Sequence, residues 1–308
     1  MTKIIPTLVL ITLPLFHSLA QLPAVLTGKV VRVENFISEY VTARNIDIWL
    51  PEGYDGKKKF AVLYMHDGQM LFDSLATWNK QAWEVDDVLG PLMKSKKIRD
   101  VIVVGIWNGG PTRHTDYFPQ KPFESLSQAQ RDTIYKATRT NGYSVFGDGK
   151  VHSDDYLKFL VTEVKPFIDN TYAVRKDRSN TFIAGSSMGG LISMYAICEY
   201  PDVFGGAACL STHWPGIFSM ENNPIPATFY NYLAAHLPNP KKHKIYFDYG
   251  DATLDALYPP LQKEVDEIMK GKGWTSKNWM TRFFPGENHS ERAWRKRFDI
   301  PATFLLAK

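Results

Sequence analysis

The stretch Phe182-Ile-Ala-Gly-Ser-Ser-Met-Gly-Gly190 constrains this chain more than any other. It holds Gly185-x-Ser187-x-Gly189 between an apolar run (Thr181 to Ala184) and a helix-like run (Leu191 to Tyr200). A serine on a sharp strand-to-helix turn needs small neighbours, because the backbone must double back without side-chain clashes. The bare pattern is common, so its weight depends on what surrounds it: a strand before, a helix after, and partners further along.

The surroundings read as alternating strands and helices. Phe60 to Met65 and Val101 to Ile106 are unbroken apolar runs, as expected of strands covered on both faces of a parallel sheet. Lys29 to Phe36 and Arg44 to Leu50 partly alternate and are followed by turn signals at Pro51 to Gly56. Thr181 to Ala184, Gly206 to Leu210, Lys244 to Tyr249 and Met280 to Phe284 continue the strand series. Helical spacing occupies Val85 to Lys94, a region around Glu124 to Arg139, and Asp154 to Thr171, with Ser153 as the N-cap. This rhythm predicts an α/β fold with a mostly parallel, doubly wound sheet, helices on both faces and lid-like insertions. Two long connections, Gly109 to Val151 and Thr212 to Pro240, follow strands and therefore belong at the carboxyl edge of the sheet, where α/β proteins bind ligands.

The start of the chain reads differently. Lys3 precedes the apolar stretch Ile4 to Phe16, and His17-Ser-Leu-Ala20 supplies small residues at a cleavage site. Residues 1–20 are read as a signal peptide and 21–308 as one catalytic domain, periplasmic or secreted, with no stable membrane insertion after cleavage. The formal net charge is only +4, and Lys57 to Lys59, Lys94 to Lys97 and Arg292 to Arg297 read as solvated faces, so nucleic acid is not an expected partner. Cys198 and Cys209 fall in core-like runs, where both free thiols and a bridge are open.

A serine hydroxyl needs a base, and the base needs an acid to hold its tautomer. In α/β-hydrolases the order is serine, acid, histidine. Four histidines follow Ser187: His213, His236, His243 and His289. His289, after the last apolar run and before a terminal helix, is the expected base, while His213 beside Trp214 at a strand end suits a pocket wall. For the acid, Asp248 lies inside a strand, leaving Asp255 as first choice and Asp251 as fallback in the following loop. The oxyanion needs two backbone donors: the N–H of Met188 and one from the loop His66-Asp-Gly-Gln69 after the third strand. Aromatic residues of the connections, Trp107 and Trp214 among them, are candidates for substrate contact.

Four motifs then carry a resemblance: Leu63-Tyr-Met-His-Asp-Gly-Gln-Met-Leu-Phe-Asp73; Gly105-Ile-Trp-Asn-Gly109 with Arg113 and Asp116-Tyr-Phe-Pro119; Gly185-Ser-Ser-Met-Gly-Gly190; and Asn288-His289 with Trp294. With them the chain resembles the Putative esterase family of α/β-hydrolases, which includes esterase D, feruloyl esterases, ferric-enterobactin esterases and mycobacterial mycolyltransferases. The resemblance implies a Ser-Asp-His triad, Gln69 as the second oxyanion donor, and Arg113 and Tyr117 near the substrate cleft. The expected protein is a serine carboxylic-ester hydrolase acting through an acyl-enzyme, without metal or organic cofactor. Its expected substrate is a small-molecule or polysaccharide ester, a feruloyl or acetyl carbohydrate ester first. A siderophore trilactone, an acyltransferase reaction and a non-catalytic binding role are the alternatives.

Overall fold

A computed structural model describes residues 22–139 and 141–307, so the signal reading of residues 1–20 lies outside the described residues. Eight strands form one sheet: β1 (Lys29–Phe36), β2 (Arg44–Leu50), β3 (Ala61–His66), β4 (Val101–Ile106), β5 (Thr181–Ser186), β6 (Gly206–Leu210), β7 (Lys244–Tyr249) and β8 (Trp279–Phe283). Their spatial order is β1-β2-β4-β3-β5-β6-β7-β8. β1 pairs antiparallel with β2, and β2 with β4; from β4 to β8 every pairing is parallel. The mixed sheet with helices against both faces is the expected α/β-hydrolase-like fold.

The apolar runs are continuous because both faces are covered. Val62 and Tyr64 of β3, with Ile102, Val104 and Ile106 of β4, pack against one set of helices. Ala61, Leu63 and Met65, with Val101 and Val103, point into the opposite layer beneath Trp83, Leu89 and Leu305. Alternate residues thus enter different cores, and no position is free to be polar. The helix Met188–Glu199 is buried at nearly every position, so it shows almost no amphipathic stripe.

Three helical expectations shift in detail. The region 154–171 forms α-helix over Ser153–Lys158, a π-helical turn over Phe159–Val164, and α-helix again over Lys165–Thr171. Ser153 is the first helical residue rather than the cap: its Oγ accepts the backbone N–H of Gln120, so the hydroxyl is used to tie down the neighbouring loop. The helix expected around 124–139 divides into Gln120–Glu124 and Gln128–Tyr135, because Ser127 and Gln130 form a reciprocal capping box that starts a new helix. The second long connection holds a helix of its own, Ile225–His236. No helix among the described residues is long and apolar enough to cross a membrane.

Candidate active site

Ser187 follows β5 with φ 57° and ψ −122°, a region that a residue with a side chain rarely enters. Three backbone bonds hold it there. Its N–H donates to Leu210 O at 2.9 Å, and its carbonyl accepts from Leu191 N at 3.1 Å and His213 N at 3.2 Å. A methyl group at Gly185 would stand 2.7 Å from the Gly189 carbonyl carbon, so the turn closes only with glycine at that position. The strained serine at a helix N-terminus is the geometry of a nucleophile elbow.

The histidine and acid come from two loops that are bonded to each other. Asp251 N and Ala252 N both donate to Glu287 O at 3.2 Å, Gly286 N donates to Asp251 Oδ1 at 2.6 Å, and His289 N donates to Thr253 Oγ1 at 3.0 Å. At Gly250 the two backbones approach so closely that a Cβ would lie 2.0 Å from Glu287 O. Within this pairing, His289 Nδ1 donates to Asp255 Oδ1 at 2.6 Å. Asp251, the fallback acid, instead spends its carboxylate on the Gly286 N–H.

Asp255 is fully buried, and its second oxygen accepts from Ser211 Oγ at 2.6 Å and Gly250 N at 2.7 Å. Burial is the largest single influence and opposes its ionisation. The His289 hydrogen bond and charge, the Ser211 hydroxyl and the Gly250 N–H together outweigh burial and hold its pKa below the ordinary aspartate value. Ser211 in turn accepts from Trp294 Nε1 at 3.0 Å and Arg297 at 2.9 Å. The Trp294 ring meets the His289 ring edge-on, with centroids 5.0 Å apart.

Sequence reasoning missed this supporting layer. Arg297, read as part of a solvated basic cluster, is only 2% exposed and pairs with Asp248 at 2.8 Å in the interior. Tyr258 was passed over as well. Its hydroxyl lies 2.9 Å from His213 Nδ1, whose backbone N–H donates to Ser187 O, and its ring centroid is 5.9 Å from that of His289. A tyrosine beside two prolines carries no signature of such contacts; only the position shortly after a candidate acid could have pointed to it.

The loop after β3, where the second oxyanion donor is expected, packs beside the serine turn. Asp67 adopts a left-handed conformation (φ 57°), and Gly68–Met70 forms a single 3₁₀ turn. A Cβ on Gly189 would lie 3.3 Å from both Asp67 Oδ2 and His66 Cβ, so this loop packs directly on the start of the helix that Met188 opens. Asp67 accepts two hydrogen bonds from Arg113, at 2.6 and 2.8 Å, and one from Asn108 Nδ2 at 2.7 Å. The Gln69 side chain accepts from Asn108 N at 3.2 Å. Beneath them His66 Nδ1 meets Tyr156 Oη at 2.8 Å, and burial lowers the His66 pKa to about 3, so the ring is neutral.

The expected substrate contacts fare unevenly. Trp107 is half-buried, donates to Asp47 at 2.9 Å and lies under the Arg32 guanidinium. It lines a cavity of about 490 Å³ together with Gln69, Phe72, Asp73 and Leu75, and the segment Leu22–Ala24 closes one side. Arg113 is committed to Asp67 rather than turned to an incoming anion. Tyr117 and Trp214 are each 0% exposed, which corrects the expectation that they face substrate. Both rings pack in the core, Tyr117 accepting from Asp67 N and Trp214 donating to Gln262 Oε1. His213 is buried as well, so it backs the site instead of forming an open wall.

A roomier cavity of about 700 Å³, lined by Arg99, Lys244 and Lys277, opens by the amino ends of β5 and β7, away from this chemistry. Cys198 and Cys209 are buried free thiols. Among the described residues no cluster of His, Cys, Asp or Glu is arranged to hold a metal ion.

Comparison with known proteins places this geometry in context. The family model described as Putative esterase matches residues 38–303. An uncharacterised protein of Bacillus subtilis, YbbA, is 25% identical over 274 residues, covering 86% of this chain and 93% of its own length. An endo-1,4-beta-xylanase/feruloyl esterase of Xylanibacter ruminicola is 25% identical over 272 residues, 84% of this chain but only 29% of that larger protein. Among solved structures, a ferulic acid esterase superposes with a TM-score of 0.62 at 20% identity, over 91% of this chain and 98% of its own.

Proposed function

The chain belongs to the Putative esterase family, and from that premise we propose that it is a secreted serine esterase that hydrolyses acyl groups from carbohydrate through an acyl-enzyme. The hydrogen-bonded His289–Asp255 pair, linked to the strained Ser187 through the ring of Tyr258 and through His213, is the observation that carries the reading. Ser187 Oγ attacks the ester carbonyl while His289 Nε2 takes its proton and passes one to the departing alkoxide. Asp255, kept ionised by its three donor contacts and the charge of His289, holds His289 with the proton on Nδ1 and steadies the imidazolium. The N–H groups of Met188 and Gln69 face the oxyanion. Water, activated by the same histidine, then releases the acid.

Two features support an acylated carbohydrate. The cavity beside Gln69 combines the Trp107 and Phe72 rings with polar groups from Asp47 and Asp73, a lining suited to a phenolic acyl group or a sugar ring. The engagement of Arg113 with Asp67 weighs against a siderophore trilactone, whose negative charges would call on that cation. The feruloyl esterase relative points the same way.

The test is direct: purified protein without residues 1–20 is assayed on p-nitrophenyl acetate and on feruloylated and acetylated xylan, beside Ser187→Ala. Loss of about three or more orders of magnitude in the variant supports the reading, since triad members act as a unit. Equal rates for the two proteins would sink it.

A further inference from the structure

The cavity of about 700 Å³ at the amino ends of the strands is lined by Arg99, Lys241, Lys242, Lys244 and Lys277, and by no aspartate or glutamate. A second cavity of about 450 Å³ meets it at Arg99 and Ser179 and adds Lys58, Lys59 and Arg175, with Asp100 as its one acid. The two linings together hold eight lysines and arginines and one carboxylate. That is a local excess of seven positive charges on a chain whose formal net charge is +4. Asp100 is taken by Lys58 at 2.7 Å, and no other cation of this band forms an ion pair among the described residues. The two half-buried cations are tied to neutral oxygens instead. Arg99 donates to Ser179 O and Ala307 O, each at 2.9 Å, to Leu306 O at 3.3 Å and to Asn180 Oδ1 at 3.2 Å, and Lys244 Nζ donates to Phe304 O at 3.0 Å. Amide oxygens hold these side chains in place without cancelling their charge. Burial lowers the pKa of both groups. The like charge of Arg175 beside Arg99, partly opposed by Asp177, and of Arg99 beside Lys244 lowers it further.

An anion settling here would relieve that repulsion, and the lining narrows which anion. Arg99, Ser179, Gly205, Lys244 and Asn278 stand at or just before the starts of β4 to β8, whereas Ser187, Asp255 and His289 follow the other ends of the strands. The length of a six-residue strand, about 20 Å, therefore separates the band from the catalytic groups. Charge strung through two confluent cavities matches a line of negative charge better than one compact ion. Most of the cations are lysines, point charges that make no demand on the plane of the group they meet. The only aromatic rings in the linings, Phe182 and His243, are buried, so no platform is offered to a nucleic-acid base. None of the exposed large hydrophobic side chains lies in the band, so nothing there would enter a bilayer. We propose that this band binds a linear, carboxylate-bearing polysaccharide, holding the polymer at the end of the sheet opposite the catalytic groups. The choice of a polysaccharide rests on the carbohydrate-ester reading above; the anion site itself does not.

Two measurements test it on the chain lacking residues 1–20. First, fluorescence anisotropy of labelled polygalacturonate oligomers reads binding to the wild-type protein without any turnover. The oligomers should bind, unsubstituted xylan oligomers should not, and affinity should fall at least about tenfold between about 0.05 and 0.3 M sodium chloride, because exposed charges are screened. Absence of binding at the lower salt overturns the proposal. So does tighter binding of a single-stranded oligonucleotide or of phosphatidylserine vesicles, and so does displacement of the polymer by about 1 mM inorganic phosphate, which would mark a site for a compact ion. Second, Lys241→Glu, Lys242→Glu and Lys277→Glu are combined; all three side chains are exposed, so the fold does not depend on them. Affinity for polygalacturonate should drop about tenfold or more, while turnover of p-nitrophenyl acetate stays within about twofold of wild type. Lys136→Glu, Lys150→Glu and Lys263→Glu, three exposed lysines outside the band, make the same change in net charge and should cost less than about threefold. Equal losses for the two triple variants would show that overall charge, not the band, attracts the polymer, and overturn the proposal. Failure of the esterase reading would show separately, as equal turnover by wild type and Ser187→Ala.

Discussion

Asp67 and Arg113 meet through two parallel hydrogen bonds, 2.6 and 2.8 Å long, directly beneath the turn that carries Gln69. Burial disfavours the Asp67 charge most strongly, and Arg113, with Asn108, more than compensates, holding its pKa below the ordinary aspartate value. The pair fixes a left-handed backbone residue at the start of the turn proposed above to hold the oxyanion.

Arg113→Met should therefore damage both stability and catalysis. Leaving a buried carboxylate unpaired costs about 3–5 kcal/mol, and the partial exposure of this pair puts the expected loss near the lower end. The rate constant kcat should fall more than KM rises if, as proposed, the contact shapes the loop that holds the oxyanion rather than a substrate surface. Arg113→Lys should not restore either quantity, since a lysine cannot form the two-pronged contact. Urea unfolding and steady-state kinetics on p-nitrophenyl acetate check this.

The two aspartates of the acid loop should separate cleanly. Asp255→Asn leaves His289 Nδ1 facing an amide that can stabilise the wrong tautomer, and kcat should drop about 10³- to 10⁴-fold. Asp251→Asn removes one acceptor for the Gly286 N–H at the surface, with a loss within about tenfold. Similar losses for both variants would contradict the assignment of roles.

Arg297 and Asp248 form a buried pair, 2% and 0% exposed at their side chains. Arg297→Met should destabilise the fold by about 3–5 kcal/mol, because it strands the carboxylate. Asp248→Leu combined with Arg297→Met should recover a large part of that loss. Denaturant midpoints of the two variants decide it, and a double variant no better than the single one would show that the pair is not the source.

Acid should weaken the fold before its carboxylates titrate. Burial lowers the pKa of His66 and of His114 to about 3, and lowers that of His213 well below the ordinary value of 6.5. These rings stay neutral in the folded protein but take up protons on unfolding below pH 6.5. Their stabilising effect is thus complete above pH 6.5 and is lost progressively as pH falls towards the folded values. Each adds a dependence of up to about 1.4 kcal/mol per pH unit in that window. Unfolding free energies measured between pH 7 and 5 should fall with decreasing pH; a flat profile would contradict the burial of neutral histidines.

What could be seen in the sequence follows from physics that acts locally. Val101 to Ile106 reads as a strand because both of its faces are covered, and Ser187 reads as an elbow because Gly185 and Gly189 are needed within four residues of each other. Asp255 was harder to separate from Asp251, since the choice depends on a 3₁₀ turn begun by Thr253 in a left-handed conformation (φ 56°). The buried polar contacts were illegible for a different reason. Asp67 and Arg113 lie 46 residues apart, Ser211 and Arg297 86, and nothing in either segment's composition reveals the other. Trp107 and Trp214 look alike as aromatic residues of loops after strands; only tertiary packing sends one to a cavity and the other into the core.

The backbone contact at Gly250 and Glu287 has a consequence for how such a scaffold can be altered. The acid loop and the histidine loop are stitched together by main-chain and short side-chain bonds, so neither is an independent module. A chimera that imports one loop from a relative without the other would misplace the base even if every catalytic residue were retained. Recombination within this family should therefore succeed when the crossover lies before Gly250 or after His289, and fail when it lies between them.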